Sequence, residues 1–219
     1  MRISKETLSV LKTLSGVNTN LLIKPGNKLS TLGPQKNLMA EVTVAENFPV
    51  EFGIYDLTEF LGVISLFTDA DVEFTQKIAK ISEGKSSIKY FAADSAVLVH
   101  PTKELKFPAA DVVFDLPAAT LAMGIKTAGV LRSQDVSFVG DGTDVRMVVS
   151  DLKNPNSNSF DLVVGETDKT FNANLKVENL KMMPGDYKIE LSSKKISRFT
   201  NKNIDAVFFV ALESSSKMD

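Results

Sequence analysis

No cysteine occurs anywhere in the 219-residue chain, which excludes disulfides, zinc–thiolate sites and thiol chemistry and fits a reducing compartment. Nor is there an excess of base: 25 Lys and Arg stand against 27 Asp and Glu, a formal charge of −2. A protein that grips nucleic acid with its whole surface needs a strongly basic balance, so any cationic function here must be local. Histidine occurs once, as His100 beside Pro101. Ser-His-acid catalysis would therefore have a single base with nothing in sequence to orient it. No apolar run reaches about 18 residues, and MRISKETLSVLKTL alternates charges with leucines instead of forming a signal-peptide core. A soluble, non-exported chain is expected. Its 43% of hydrophobic residues suffice for the core of one large or two small domains.

What is present is a series of short strand patterns broken by turns, with a few helices between them. Ser4 is placed as an N-cap, and Leu8, Leu11 and Leu14 recur at helical spacing over Lys5–Ser15. TNLLIK, KLSTL, MAEVTV and PVEFGIY read as strands, and Asp56 opens a second helix, LTEFLGVISLF, apolar on nearly every side. DVEFT, KIAKIS and SSIKYFA complete a first block. The stretch DSAVLVHPTKELKFP has two prolines and no steady period, which predicts a first domain over 1–94, a connector over 95–108 and a second domain over 109–219. In the second block, DVVF leads to a helix beginning at Pro117. Asp141-Gly142 between alternating strands predicts a tight hairpin. NPNSNS reads as a loop, FDLVVG and FNANLKV as strands, and NLKMM as a short helix stopped by Pro184-Gly185; DYKIEL, KISRF and DAVFFVAL close the chain. The halves repeat the order helix, strands, helix, three strands, and an offset of about 114 residues places Thr7 on Leu121, Leu11 on Ile125 and Lys12 on Lys126.

Helical spacing also divides the faces. Lys5, Ser9 and Lys12 share one stripe of the first helix, with Thr7, Leu11 and Leu14 roughly opposite, and Lys126 lies away from Leu121 and Ile125. These cations point outward, either as ordinary solvated lysines or as a local attraction for a polyanion. Three motifs of chemistry fail on inspection. AKISEGKSS lacks the first glycine of a phosphate-cradling loop and leads into a strand instead of a helix. His100 has no orienting partner in sequence. The acids of DADVE lack calcium-loop spacing. No catalytic residue, metal site or cofactor is assigned.

The segments IYDLTEFLGVISL at 54–66, the Lys126 helix leading to Leu131, MMPGDYKIEL at 182–191 and FFVALESSS at 208–216 together resemble the sliding clamps of T-even-like bacteriophages, trimeric relatives of the eukaryotic proliferating-cell clamp. The resemblance follows the family's order across essentially the whole chain. It implies an α+β fold of duplicated clamp domains, with antiparallel sheets outside and helices lining a ring. It further implies a non-enzymatic homotrimer that encircles duplex DNA without reading sequence and tethers the replicative polymerase. On that reading Lys5, Lys12 and Lys126 face DNA, with Lys176 and Lys181 as weaker candidates, whereas Thr58, Gly62 and Ser65 leave the second helix without outward cations. Val97, Leu98, Leu105, Phe107, Ala211 and Leu212 would receive peptides of DNA polymerase and clamp loader. Tyr90, Phe91, Phe160 and Leu162 would join subunits through edge strands, ordinary sheet core being the competing reading of those four. The implied setting is the cytoplasm of an infected bacterial host, with the transcription machinery as a further implied partner and no membrane partner. The competing functional reading is a β-rich virion or assembly protein whose duplicated domains serve symmetry alone.

Overall fold

The computed structural model describes residues 1–154 and 156–218. The chain divides into two compact units, Met1–Glu104 and Leu105–Asp219, parted within the proline-containing connector. Among the described residues no helix is long and apolar enough to cross a membrane.

In the first unit, helix α1 (Lys5–Val17) starts at Ser4, whose hydroxyl accepts from the Thr7 amide at 3.2 Å. That bond satisfies one of the amides a helix start leaves without an intrahelical partner. The chain then forms β1 (Leu21–Ile23), the long hairpin of β2 (Gly26–Leu32) and β3 (Leu38–Phe48), and β4 (Phe52–Ile54), which returns antiparallel to β1. Asp56 caps α2 (Leu57–Ser65), its carboxylate accepting from Thr58 and Glu59 amides at 2.9 and 3.0 Å. A three-stranded meander follows: β5 (Asp71–Phe74), β6 (Ile78–Glu83) and β7 (Ser86–Phe91). The segment that mimicked a phosphate loop is thus the β6–β7 hairpin, turning on Gly84 at φ 58°. α1 buries Thr7, Val10, Leu11 and Leu14, and α2 buries Leu57, Phe60 and Ile64. Phe74 lies 5.6 Å from Phe48, 5.2 Å from Phe52 and 6.3 Å from Phe60 between ring centres. This aromatic cluster ties α2 to three strands.

The second unit contains β8 (Val112–Leu116), α3 (Ala118–Leu131), β9 (Asp135–Asp141), β10 (Asp144–Val149), β11 (Phe160–Glu166), β12 (Thr170–Lys176), β13 (Tyr187–Ser192), β14 (Ile196–Asn201), β15 (Ala206–Ala211) and β16 (Lys217–Met218). One sheet runs β11-β10-β9-β12-β16. In the other, β13 pairs with β8 and with β14, and β14 pairs with β15, all antiparallel. The hairpin predicted at Asp141-Gly142 is present, with Gly142 at φ 90° and the Asp141 carboxylate accepting from the Thr143 and Asp144 amides. Phe138, Phe199, Tyr187 and Phe208 are buried between these strands.

The helix predicted over NLKMM is absent. Only a 3-10 turn, Val177–Asn179, forms, and residues 180–184 are irregular. Pro184 disfavours the helical conformation at Met183, and five residues cannot offset the cost of nucleation. The two halves therefore repeat incompletely. Where the first unit packs α2 beside α1, the second leaves a cleft of about 430 Å³ along α3, lined by Leu121, Ile125, Leu180, Met182 and Met183.

Two glycines of the second unit have opposite surroundings. A Cβ on Gly140 would lie 2.3 Å from the Phe171 ring and 2.7 Å from the Lys169 carbonyl, whereas one on Gly129, in α3, would meet nothing within 4 Å. Gly140→Ala is expected to destabilise the protein by about 1–3 kcal/mol through overpacking. Gly129→Ala should stabilise it by up to about 1 kcal/mol through helix propensity. Denaturant melts of the two variants check both signs.

Candidate functional site

Burial of the apolar stripe of α1 fixes where its other side chains go. Lys5 and Lys12 are exposed and line a cleft of about 470 Å³ together with Arg2, Leu8, Leu61 and Ile64. Arg2 pairs with Asp69 at 2.9 Å. Arg2 precedes the helix and so lies outside its periodicity; a bridge between Arg2 and Asp71 of β5 brings it to this cleft. On α3, Leu121, Gly124 and Ala128 are buried and Lys126 is exposed. Lys5, Lys12 and Lys126 make no ion pair or side-chain hydrogen bond among the described residues. The outward side of α2 presents Thr58, Gly62 and Ser65, all exposed and uncharged.

The two weaker candidates differ from these. Lys176 is half-buried, with Nζ 2.5 Å from Oδ1 of Asp135, whose side chain is only 4% exposed. Its hydrogen bond to Asp135 holds the ammonium above the ordinary lysine range, against the opposing effect of burial. Lys176 thus neutralises a buried carboxylate. Lys181 is exposed, after the 3-10 turn that replaces the predicted helix.

The start of α1 is held from the side as well as capped. Glu46 of β3 accepts from the Ser4 amide at 2.5 Å and from the Thr7 hydroxyl. α3 begins after Pro117, which has no capping side chain; Asp186 supplies one, accepting from the Ala118 amide at 2.8 Å. It ends with Arg132 in the left-handed region at φ 55°, where the Ser133 amide returns to the Ala128 carbonyl.

Both proposed joining strands lie at sheet edges, β7 in the first unit and β11 in the second. Phe91 is 74% exposed. Tyr90 faces the other way: its ring packs 5.1 Å from Phe60 and its hydroxyl donates to the Asp56 carbonyl at 3.1 Å. Burial, reinforced by the Glu59 carboxylate, pushes the phenol up to about 12. Phe160 and Leu162 are half-buried, opposite Val149 and Met147 of β10.

The six peptide-binding candidates are dissimilar. In the first unit Val97 is 61% exposed, whereas Leu98 is buried, close enough to Gly53 that a Cβ there would lie 2.9 Å from its Cδ1. In the second unit Leu105, Phe107 and Ala211 are half-buried and Leu212 is buried. Phe107 packs 6.2 Å from Phe209 with the Arg198 guanidinium 4.6 Å above its ring. Arg198 is itself held by a two-pronged contact to Glu190, both bonds 2.6 Å. Nothing in the spacing of the sequence pointed to Arg198, since its contacts cross between strands.

The fold is that of a sliding clamp: a PCNA of A. fulgidus, solved with the C-terminal region of FEN-1, superposes with a TM-score of 0.70 at 15% identity, covering 96% of each chain. Residues 4–100 match the family model "DNA polymerase processivity factor" and residues 134–214 the model "gp45 sliding clamp, C terminal". The sliding clamp of Enterobacteria phage T4 is 29% identical, over all of both chains. That of Vibrio phage KVP40 is 27% identical, over 98% of this chain and all of the relative. The chain belongs to the sliding clamps of T4-like phages. It serves as a processivity factor for DNA polymerase and is not an enzyme; the virion-component reading is not favoured.

The Glu46 contacts make the first turn of α1 sensitive to acid. Burial raises its pKa, but the hydrogen bonds from Thr7 and Ser4 together outweigh it and hold the carboxyl below its ordinary value of 4.5. The stabilisation is complete above that ordinary value and is lost as pH falls through the depressed one. Thermal melts at descending pH should show a steeper acid-side loss for the native protein than for Glu46→Gln.

Proposed function

We propose that three copies close a ring around duplex DNA, with Lys5, Lys12 and Lys126 toward the opening, and that topology rather than adhesion retains it. One observation carries this reading: α1 and α3 each bury an apolar stripe and leave opposite it Lys5, Lys12 and Lys126, which form no ion pair among the described residues. In a chain of formal charge −2, such a stripe attracts a polyanion locally while the remaining surface does not bind it. Diffuse attraction to phosphates suits sliding, because contacts fixed to base edges would oppose movement. Lys181 is a secondary member of this lining, and Lys176 contributes least, being committed to Asp135.

The subunits are proposed to meet through β7 and β11, with Tyr90, Phe91, Phe160 and Leu162 at the junction. Peptides of DNA polymerase and of a clamp loader are the proposed partners of the apolar connector and last-strand residues. Of these residues Val97 is exposed and so offers direct contact, whereas Leu98 and Leu212 are each buried within their own unit. The proposed place of action is the cytoplasm of the infected host, with transcription machinery as a further proposed partner.

Lys12→Ala combined with Lys126→Ala is expected to weaken DNA association and loading about three- to tenfold while leaving the solution mass unchanged. Unchanged loading would return these lysines to ordinary solvated residues. Once loaded, the protein should stay on closed circular DNA and run off linear DNA; equal residence on both would rule out retention by encirclement.

A further inference from the structure

The exposed face of the three-stranded sheet has an unbalanced row of charge. Register places Glu73 opposite Lys80, and Lys80 opposite Lys89 on the edge strand β7. All three are exposed. Like charges directly opposite destabilise a strand pair and unlike charges stabilise it, so this row ends on a repelled cation. Lys89 makes no ion pair among the described residues. The edge strand of the second unit is the complement. Among the described residues, Arg146 of β10 is the one cation paired with Asp161 of β11 at 2.9 Å, Asp144 of β10 at 3.3 Å and Asp141 at the end of β9 at 3.8 Å, and Glu166 ends β11.

Backbone direction narrows how the two edges could meet. The Ala92 amide donates to the Lys77 carbonyl at 2.9 Å, so Phe91 and Ile78 are opposite residues that do not bond each other. By alternation Ser87, Lys89 and Phe91 turn their own N–H and C=O to the free edge. On β11 the Thr167 amide donates to Thr143 at 2.9 Å. With the register shift between Val145 and Arg146, this leaves Asp161 and Val163 facing the free edge in the same way. Faces agree too: Lys89 and Phe91 are exposed, as are Asp161 and Val163, while Ile88, Tyr90, Phe160 and Leu162 are half-buried.

We propose, on the ring reading given above, that β7 of one copy pairs antiparallel with β11 of the next in a single register, with Lys89 opposite Asp161. This register sets Tyr90 against Phe160 and Ile88 against Leu162, and completes the row Glu73, Lys80, Lys89 with an acid. A slip of two residues keeps the backbone and face matching but places Lys89 opposite Ser159 or Val163, without the charge pair. The contact is head-to-tail, the kind that generates a ring when its rotation closes.

The cysteine-free chain allows a direct test, because introduced thiols are the only ones present. Directly opposed, mutually bonded residues have Cα atoms about 5.5 Å apart, within disulfide reach. Lys89→Cys with Asp161→Cys should oxidise to covalent dimers and closed trimers on a non-reducing gel. Lys89→Cys with Ser159→Cys, or with Val163→Cys, should give far less. Independently, Lys89→Asp or Asp161→Lys should each raise the half-assembly concentration about fivefold, and the exchanged pair Lys89→Asp with Asp161→Lys should restore it. Preferred cross-linking through 159 or 163, or no restoration by the exchange, overturns the register and leaves the ring standing. No cross-linking by any of the three pairs, with a native mass that stays monomeric at all concentrations, overturns the ring reading itself.

Discussion

The structure depends on one constraint: each helix must bury a single apolar stripe against strands, and whatever lies opposite that stripe is delivered to the exposed side. Thr7, Val10, Leu11 and Leu14 decide the orientation of α1, and Leu121, Gly124 and Ala128 that of α3. The lysines are placed by these residues. A clamp needs a few cations with a common direction rather than a basic surface, because whole-surface adhesion would hold it at one place. On the proposed reading, the same partition lets a protein of net negative charge serve a polyanion.

Which cations are available is a separate matter, settled by their neighbours. Lys176 and Lys12 are the same chemical group, yet Asp135 takes up the first and no side chain among the described residues pairs with the second. An acid as buried as Asp135 requires a partner, and its lysine is withdrawn from other duties. The anchors at the helix starts act similarly at one remove. Glu46 and Asp186 tie the first turns of α1 and α3 and so the directions of the cations those helices carry.

Free sheet edges are usually a hazard, managed with lysines, irregularities or cover. Here β7 carries Lys89, and β11 carries Asp161 and a register shift. On the proposed pairing, like charge on two identical edges would oppose pairing of β7 with β7, whereas the two unlike edges would attract. The same charges would then discourage open aggregation and favour head-to-tail closure.

Much of this was legible in the residues. The caps at Ser4 and Asp56, the Asp141-Gly142 hairpin, the strand runs and the outward stripe of lysines all follow from local chemistry with periods of about 3.6 and 2. The interactions that cross the chain were not. Separation in sequence hides the bond from Lys176 to Asp135, the Arg198 guanidinium over Phe107, and the turning of Tyr90 onto Phe60. The predicted second helix of the later half failed because its pattern was apolar but too short, and Pro184 ended it before tertiary contacts could support it. Local sequence determined which segments are helices and strands and which face of each is apolar, since those preferences act within a turn or two. Only the packed structure decided which charged groups are engaged and which stand free, because that depends on partners brought together across tens of residues.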